Sequence, residues 1–279
     1  MELDRLSIEP SRFCSKACSF CYNGSSRAGG QGFSAAEVVE LATDCARHGV
    51  RYLSIGGGEP LEWPGLFDAL AGLRGVVGRS FTSNGLPFVA RPELYERCAE
   101  ASPDNIHLSI HSPELTPEVD RVISQVLRLW SLGLKAGVNL LVRRAQQPAA
   151  RHAVQRMVDA GFTAEQVMLL PVRGVGADTP SPRELAEVAA PFPRFQSMSC
   201  LAKCGKSERF ASIGADRSVA WCSYTIARRP LRALTYDAIV AALDGLELLP
   251  CSHAMVGDAP ARPPFLKSRG DVAGPSSSR

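Results

Sequence analysis

The sequence predicts an α/β fold, a partial (β/α)6 TIM-like barrel followed by a small C-terminal cysteine-bearing segment. Three observations carry this. Six short apolar runs, Leu6 to Glu9, Tyr52 to Ile55, Arg79 to Thr82, Ile106 to Ile110, Ala136 to Val142 and Gln166 to Leu170, alternate with helical patterns, which implies a parallel sheet. The alternation ends near residue 194, short of the about 250 residues of a closed eight-fold barrel. From about Phe195 it gives way to cysteines and a hairpin pattern.

The elements follow in order. Ser34 with Glu37 three residues on forms a capping box that opens a helix, and Gly49 closes it. Thr116-Pro117 starts another, with Val119, Val122, Ile123, Val126 and Trp130 on one face and Gly133 after its end. Phe210 to Ile213 and Ser218 to Trp221 read as a hairpin around Ala215-Asp216-Arg217, which would return Cys222 toward Cys200 and Cys204. A last helix spans Thr235 to Leu246. The expected organisation is a barrel over 1–194, a cysteine segment with the last helix over 195–257, and a Pro-, Gly- and Ser-rich disordered tail over 258–279.

Composition bounds the function. The chain has 45% hydrophobic and 21% charged residues, ordinary for a globular protein with a sizeable core. Its net charge of +3 is scattered and forms no basic block, so no nucleic acid is expected. No stretch approaches the roughly 20 apolar residues of a membrane span. Met1 to Pro10 carries charges where a signal peptide needs an apolar core, so a cytoplasmic location is expected. Nine cysteines then suit metal binding or catalysis better than disulfides.

Cys14, Cys18 and Cys21 follow the first strand and so fall on a loop at the C-terminal, catalytic end of the barrel. Three thiolates on a four-iron four-sulfur cluster leave one iron open to a small molecule. A zinc site is the alternative, and it would want a fourth ligand nearby. The spacing Cys-x3-Cys-x-aromatic-Cys, with Phe20 as the aromatic, resembles the signature of the radical S-adenosylmethionine superfamily.

That resemblance implies that S-adenosylmethionine binds the open iron and is cleaved to a 5′-deoxyadenosyl radical, with an external electron donor of flavodoxin or ferredoxin type. Further segments resemble the family's cofactor contacts. Gly56-Gly57-Gly58-Glu59-Pro60 corresponds to the motif receiving the methionine ammonium; glycine permits close approach and Glu59 supplies charge. Ser83 and Asn84, within Thr82-Ser83-Asn84-Gly85, with Ser109 and Asn139, correspond to positions meeting the carboxylate and ribose. Leu170, within Leu169-Leu170-Pro171, corresponds to the segment against the adenine.

Cys200, Cys204 and Cys222 resemble the auxiliary-cluster appendage called Twitch, related to the longer SPASM domain. A second four-iron cluster and a structural zinc are both open for them, with Cys251 as a fourth ligand or a free thiol. Arg217 stands where that pattern has a turn glycine, so Asp216 is expected to take the turn's special geometry. Cys45 and Cys98 read as core thiols. His111 is expected to make a strand-end hydrogen bond, His107 lies within the fourth strand, and Arg143 and Arg144 meet a substrate oxygen or solvent.

Three functions compete. In the first, the chain is similar to aminoglycoside epimerases: the radical removes hydrogen from a carbon of a small-molecule amino sugar and the Cys251 thiol returns one from the opposite face. In the second, the enzyme oxidises, cross-links or epimerises a peptide, or dehydrogenates or decarboxylates a sugar. With the first cysteine at Cys14, no N-terminal peptide-recognition module is expected, which favours small molecules, although a separately encoded recognition protein would restore the peptide reading. In the third, a zinc-stabilised binding protein has lost radical chemistry.

Overall fold

The computed structural model of the 279-residue chain describes residues 1–172, 178–192, 196–197 and 207–248. Cys200, Cys204, Cys251 and the tail lie outside the described residues.

Six parallel strands form the core of one sheet: β1 (Arg5–Ile8), β2 (Tyr52–Ile55), β3 (Gly78–Ser83), β4 (Asn105–Ile110), β5 (Ala136–Val142) and β6 (Val167–Pro171). Between them run α1 (Ala35–Arg47), α2 (Leu66–Gly72), α3 (Leu86–Ala90), α4 (Leu94–Ala101), α5 (Thr116–Ser131) and α6 (Gln147–Asp159), with α7 (Pro182–Val188) after β6. The strands lie within a residue or two of the sequence expectation. The reason is visible in the burial: Leu6 and Ile8, Leu53 and Ile55, Ile106 and Leu108, and Val138 and Leu140 are each almost fully enclosed. These alternate residues form the apolar face against the helices.

The α1 capping box is present, with Ser34 and Glu37 each bonded to the other's backbone, and Gly49 follows the helix at φ +96°. Along α5, Val119, Val122, Ile123 and Val126 are buried, joined by Leu129; Trp130 is half-buried and packs on Phe162 with ring centroids 4.6 Å apart.

The C-terminal segment does not stand off the barrel. β8 (Phe210–Ile213) pairs in parallel with β1, in register from Arg5 with Phe210 to Ile8 with Ile213. β9 (Ser218–Ala220) pairs antiparallel with β8, and β10 (Arg229–Pro230) with β9. With β7 (Gln196–Ser197) on β6, the order is β10-β9-β8-β1-β2-β3-β4-β5-β6-β7. α8 (Tyr236–Leu243), capped by Thr235, closes the described chain.

One expectation at the hairpin is corrected. Arg217, and not Asp216, takes the left-handed turn conformation, at φ +58°. The Asp216 carboxylate instead accepts from the amide and hydroxyl of Ser218, and Arg217 is held by Glu37 and by the Gly32 carbonyl. Fixing the guanidinium on α1's first turn offsets the backbone cost that a glycine would avoid.

Candidate active site at the strand C-termini

Cys14, Cys18 and Cys21 lie half-buried on the loop after β1. The loop is fixed by backbone bonds from Cys14 N to Ser26 O (3.0 Å), Ser26 N to Arg12 O (3.0 Å) and Cys21 N to Cys18 O (3.1 Å). Burial pushes the Cys14 thiol up and Cys18 up to about 11; at Cys18 the Lys16 charge opposes this, and Cys14 and Cys21 add to it. Desolvated thiols at Cys14 and Cys18 fit a group that brings its own positive charge. Among the described residues, no three His, Cys, Asp or Glu side chains stand close enough to hold a single metal ion. Ligands of a cluster bind different irons and need not converge on one point.

The glycine segment after β2 is laced onto this loop. Gly56 N donates to Ile8 O (2.9 Å), Gly58 N to Ser11 O (2.7 Å) and Glu59 N to Phe13 O (2.8 Å). A Cβ on Gly58 would sit 1.9 Å from Phe13 O, so the approach demands glycine, and Gly57 has φ +95°. The glycines therefore answer first to the cysteine loop.

Glu59 is buried, 2% exposed, and caps the short 3-10 turn Pro60–Glu62. Its carboxylate accepts from Asn84 N (2.8 Å) and Leu61 N (3.0 Å), and the Ser83 hydroxyl also bonds to it. Burial outweighs these bonds and holds its carboxyl at about 7. Asn84 is thereby anchored, and its Nδ2 approaches Cys14 Sγ at 3.8 Å. Gly85 follows at φ +73°, with its carbonyl accepting from Gln125 Nε2 (2.7 Å) and the Asn84 carbonyl accepting from Arg121 (3.2 Å). Ser109 and Asn139 are directly paired across β4 and β5, and Leu170 is half-buried beside Leu141.

The second face of the sheet carries Ser7, Ser54, Ser80, Thr82, His107, Asn139 and Met168, all half-buried. Ser7, Ser54 and Ser80 are one continuous row in register. A packed barrel would fill this face with branched apolar side chains. Here, Met168 apart, it is polar and half-buried, and it carries no carboxylate, ammonium or guanidinium at these positions. Burial lowers the His107 pKa, which favours the neutral imidazole.

Phe20 is flanked by His111, with centroids 5.8 Å apart, and by the Arg143 guanidinium 4.8 Å from its ring. Lys16 pairs with Glu118 at 3.0 Å and contacts His111 Nδ1 at 3.1 Å; burial, reinforced by Lys16, pushes His111 down to about 4. Arg143 pairs with Asp178 and Arg144 with Glu184, so neither is simply solvated. Cys45 and Cys98 are fully buried, as expected of core thiols.

Cys222 is half-buried on the loop after β9. Two residues on, Tyr224 packs against Tyr22 of the first cysteine loop, with centroids 4.6 Å apart. Sequence reasoning missed the groups beneath this contact. Tyr22 donates to buried Glu9 at 2.7 Å, and buried Asn23 joins Glu9, Cys21 and Gly57. The available signals were an acid immediately after an apolar strand and an amide two residues past the last cysteine.

Residues 8–139 match the family model described as Radical SAM superfamily. A probable GTP 3′,8-cyclase of Methanocella arvoryzae is 31% identical over 144 residues, 47% of this chain and 45% of that protein. Another, of Archaeoglobus fulgidus, is 30% identical over 49% of this chain and 48% of its own length. This chain therefore spans under half the length of these curated relatives. Among solved structures, SuiB of Streptococcus suis bound to S-adenosylmethionine superposes with a TM-score of 0.68 at 15% identity, covering 88% of this chain and 67% of that one. At that identity the likeness speaks for the fold, a partial TIM-like barrel. The match over 8–139, which takes in the cysteine loop and the strands from β2 into β5, makes the barrel of this chain similar to the radical SAM superfamily.

Proposed function

We propose that the chain is a radical enzyme that inverts a carbon of a small hydroxylated substrate, an amino sugar of an aminoglycoside-type natural product, with the Cys251 thiol as hydrogen donor. The observation that supports the substrate class is the half-buried, polar, hydroxyl-bearing strand face from Ser7 to Asn139. Hydroxyls, an amide and a neutral imidazole bind sugar hydroxyls without fixing a charge. A nucleotide, which the cyclase relatives' name suggests, would need cations for its phosphates; those positions carry none, and Lys16 and Arg143 near Phe20 are paired with Glu118 and Asp178.

When bound, the cluster and S-adenosylmethionine supply a 5′-deoxyadenosyl radical. In this reading Cys14, Cys18 and Cys21 hold the irons. The Gly57-Gly58 backbone with Glu59 receives the methionine ammonium. Ser83, Asn84, Ser109 and Asn139 meet the carboxylate and ribose, while Leu170 and Phe20 border the adenine. Cys200, Cys204 and Cys222 hold a second cluster, and a flavodoxin or ferredoxin delivers the electron. Iron analysis separates one cluster from two, at about four or about eight irons per chain.

Turnover in deuterated water is expected to place one deuterium at the inverted carbon. Cys251→Ala is expected to form 5′-deoxyadenosine and lose the epimer. Undiminished epimerisation by that variant overturns the donor assignment, and a wild-type chain that binds no iron overturns the whole reading.

A further inference from the structure

We propose that Asn23 is a positioning residue that holds the end of the cysteine loop, two residues past the third cluster cysteine, against the Gly57 turn. The inference rests on the reading of Cys21 as a cluster ligand. Asn23 is 8% exposed and joins three segments through one amide. Its Oδ1 accepts from Ser25 N (3.1 Å), Ser25 Oγ (2.7 Å) and the Cys21 thiol (3.0 Å). Its Nδ2 donates to Gly57 O (3.1 Å) and to Glu9 Oε2 (3.3 Å). The orientation of the amide is fixed by these partners, because Ser25 N can only donate and the Gly57 carbonyl can only accept.

The anchor of this unit is the sheet itself. Glu9 directly follows β1; its amide donates to Ile213 O on β8 (2.9 Å), and its second carboxylate oxygen accepts from Tyr22 (2.7 Å). Ser25 Oγ, whose one proton serves either Asn23 Oδ1 (2.7 Å) or the Gly57 carbonyl (3.3 Å), lies at the same turn, and a Cβ on Gly57 would sit 2.5 Å from Ser11 O and 2.9 Å from the Glu9 Cβ. Asn23 thus ties the end of the cysteine loop, two residues past Cys21, to the turn at the end of β2, with the buried Glu9 carboxyl as the fixed point. The contact from Cys21 is made by the thiol; the four others persist when Cys21 is a thiolate. A hydroxyl is too short to make both ends of this bridge, and a carboxylate cannot donate. The residue type is therefore dictated by the arrangement.

The test uses full-length, anaerobically reconstituted protein. Iron per chain, the thermal midpoint and the S-adenosylmethionine Kd, read from the electron paramagnetic resonance change of the reduced cluster, are measured together. Asn23→Asp keeps the acceptor oxygen but removes both donors and faces Glu9 with a like charge. It is expected to retain iron and to bind the cofactor about tenfold more weakly. Adding Glu9→Gln restores a donor between the two positions and is expected to recover part of that loss. Wild-type affinity in Asn23→Asp overturns the proposal, as does a double variant no tighter than the single one.

If Asn23→Asp does not fold, Ser25→Ala carries the test. It keeps the amide and removes one hydroxyl from Asn23 and Gly57, with about threefold weaker binding at unchanged iron content expected. Unchanged affinity there overturns the proposal. Wild-type protein without iron, or without a spectral response to the cofactor, instead defeats the cluster reading on which the inference stands.

Discussion

Glu59 is a carboxylate enclosed by protein and surrounded by amides, and the two influences oppose each other. Burial wins and sets the folded pKa at about 7 against 4.5 for the free group. The folded chain therefore holds a proton there that the unfolded chain releases. Its contribution is full below about pH 4.5 and is lost as pH rises toward 7, by about 3 kcal/mol across that window. Glu59→Gln is expected to flatten this part of the stability curve, measured as the urea midpoint between pH 5 and pH 8; an unchanged slope would show that Glu59 is ionised throughout. Arg217 makes the second residue-scale test. At φ +58° a side chain costs about 1 kcal/mol that glycine does not. Both Arg217→Gly and Arg217→Ala lose the bonds to Glu37 and Gly32, so the difference between them isolates the backbone. The glycine variant is expected to be more stable than the alanine variant by about 1 kcal/mol in urea unfolding at constant slope.

At the scale of the element, the segment after β2 shows what a glycine run is for. A Cβ on Gly56 would meet open space, whereas one on Gly58 would overlap the Phe13 carbonyl at 1.9 Å. Gly56→Ala is accordingly expected to be neutral or slightly stabilising. Gly58→Ala must push the cysteine loop away, costing about 2 kcal/mol or more and lowering iron retention after reconstitution; equal iron in the two variants would contradict the lacing of turn to loop. This also marks where the sequence was readable. Strands β1 to β6 were legible because every second residue is apolar and enclosed, and the α1 cap because Ser34 and Glu37 carry their own local chemistry. The cysteine spacing was legible for the same reason: its meaning lies within eight residues. Glu9 and Asn23 were not, since an acid after a strand and an amide in a loop look like solvated turn residues until β1, the loop and the Gly57 turn are brought together. The turn geometry of Arg217 escapes local reading because its compensating partner, Glu37, lies 180 residues away.

For the whole molecule, the consequential feature is the continuity of the sheet through β1. The hairpin was readable as a hairpin, but the parallel pairing of β8 with β1 joins residues some two hundred positions apart, and no local pattern reports that. It places the C-terminal segment and the first cysteine loop on one framework: Glu9 N bonds Ile213 O, and Tyr22 packs on Tyr224. If the sheet is one cooperative unit, damage to the hairpin must reach β1. Trp221 is the place to apply it, being 3% exposed at the end of β9, with its indole N–H donating to Leu246 O at 2.9 Å. Trp221→Ala is expected to cost about 3–5 kcal/mol through the cavity it leaves. Hydrogen exchange then decides how that loss is shared. Amides of Arg5 to Glu9 and of Phe210 to Ile213 are expected to lose protection together, while those of β4 and β5 lose less. Should β8 and β9 loosen with β1 untouched, the hairpin is a separately stable unit, and the first cysteine loop takes its shape from the barrel alone.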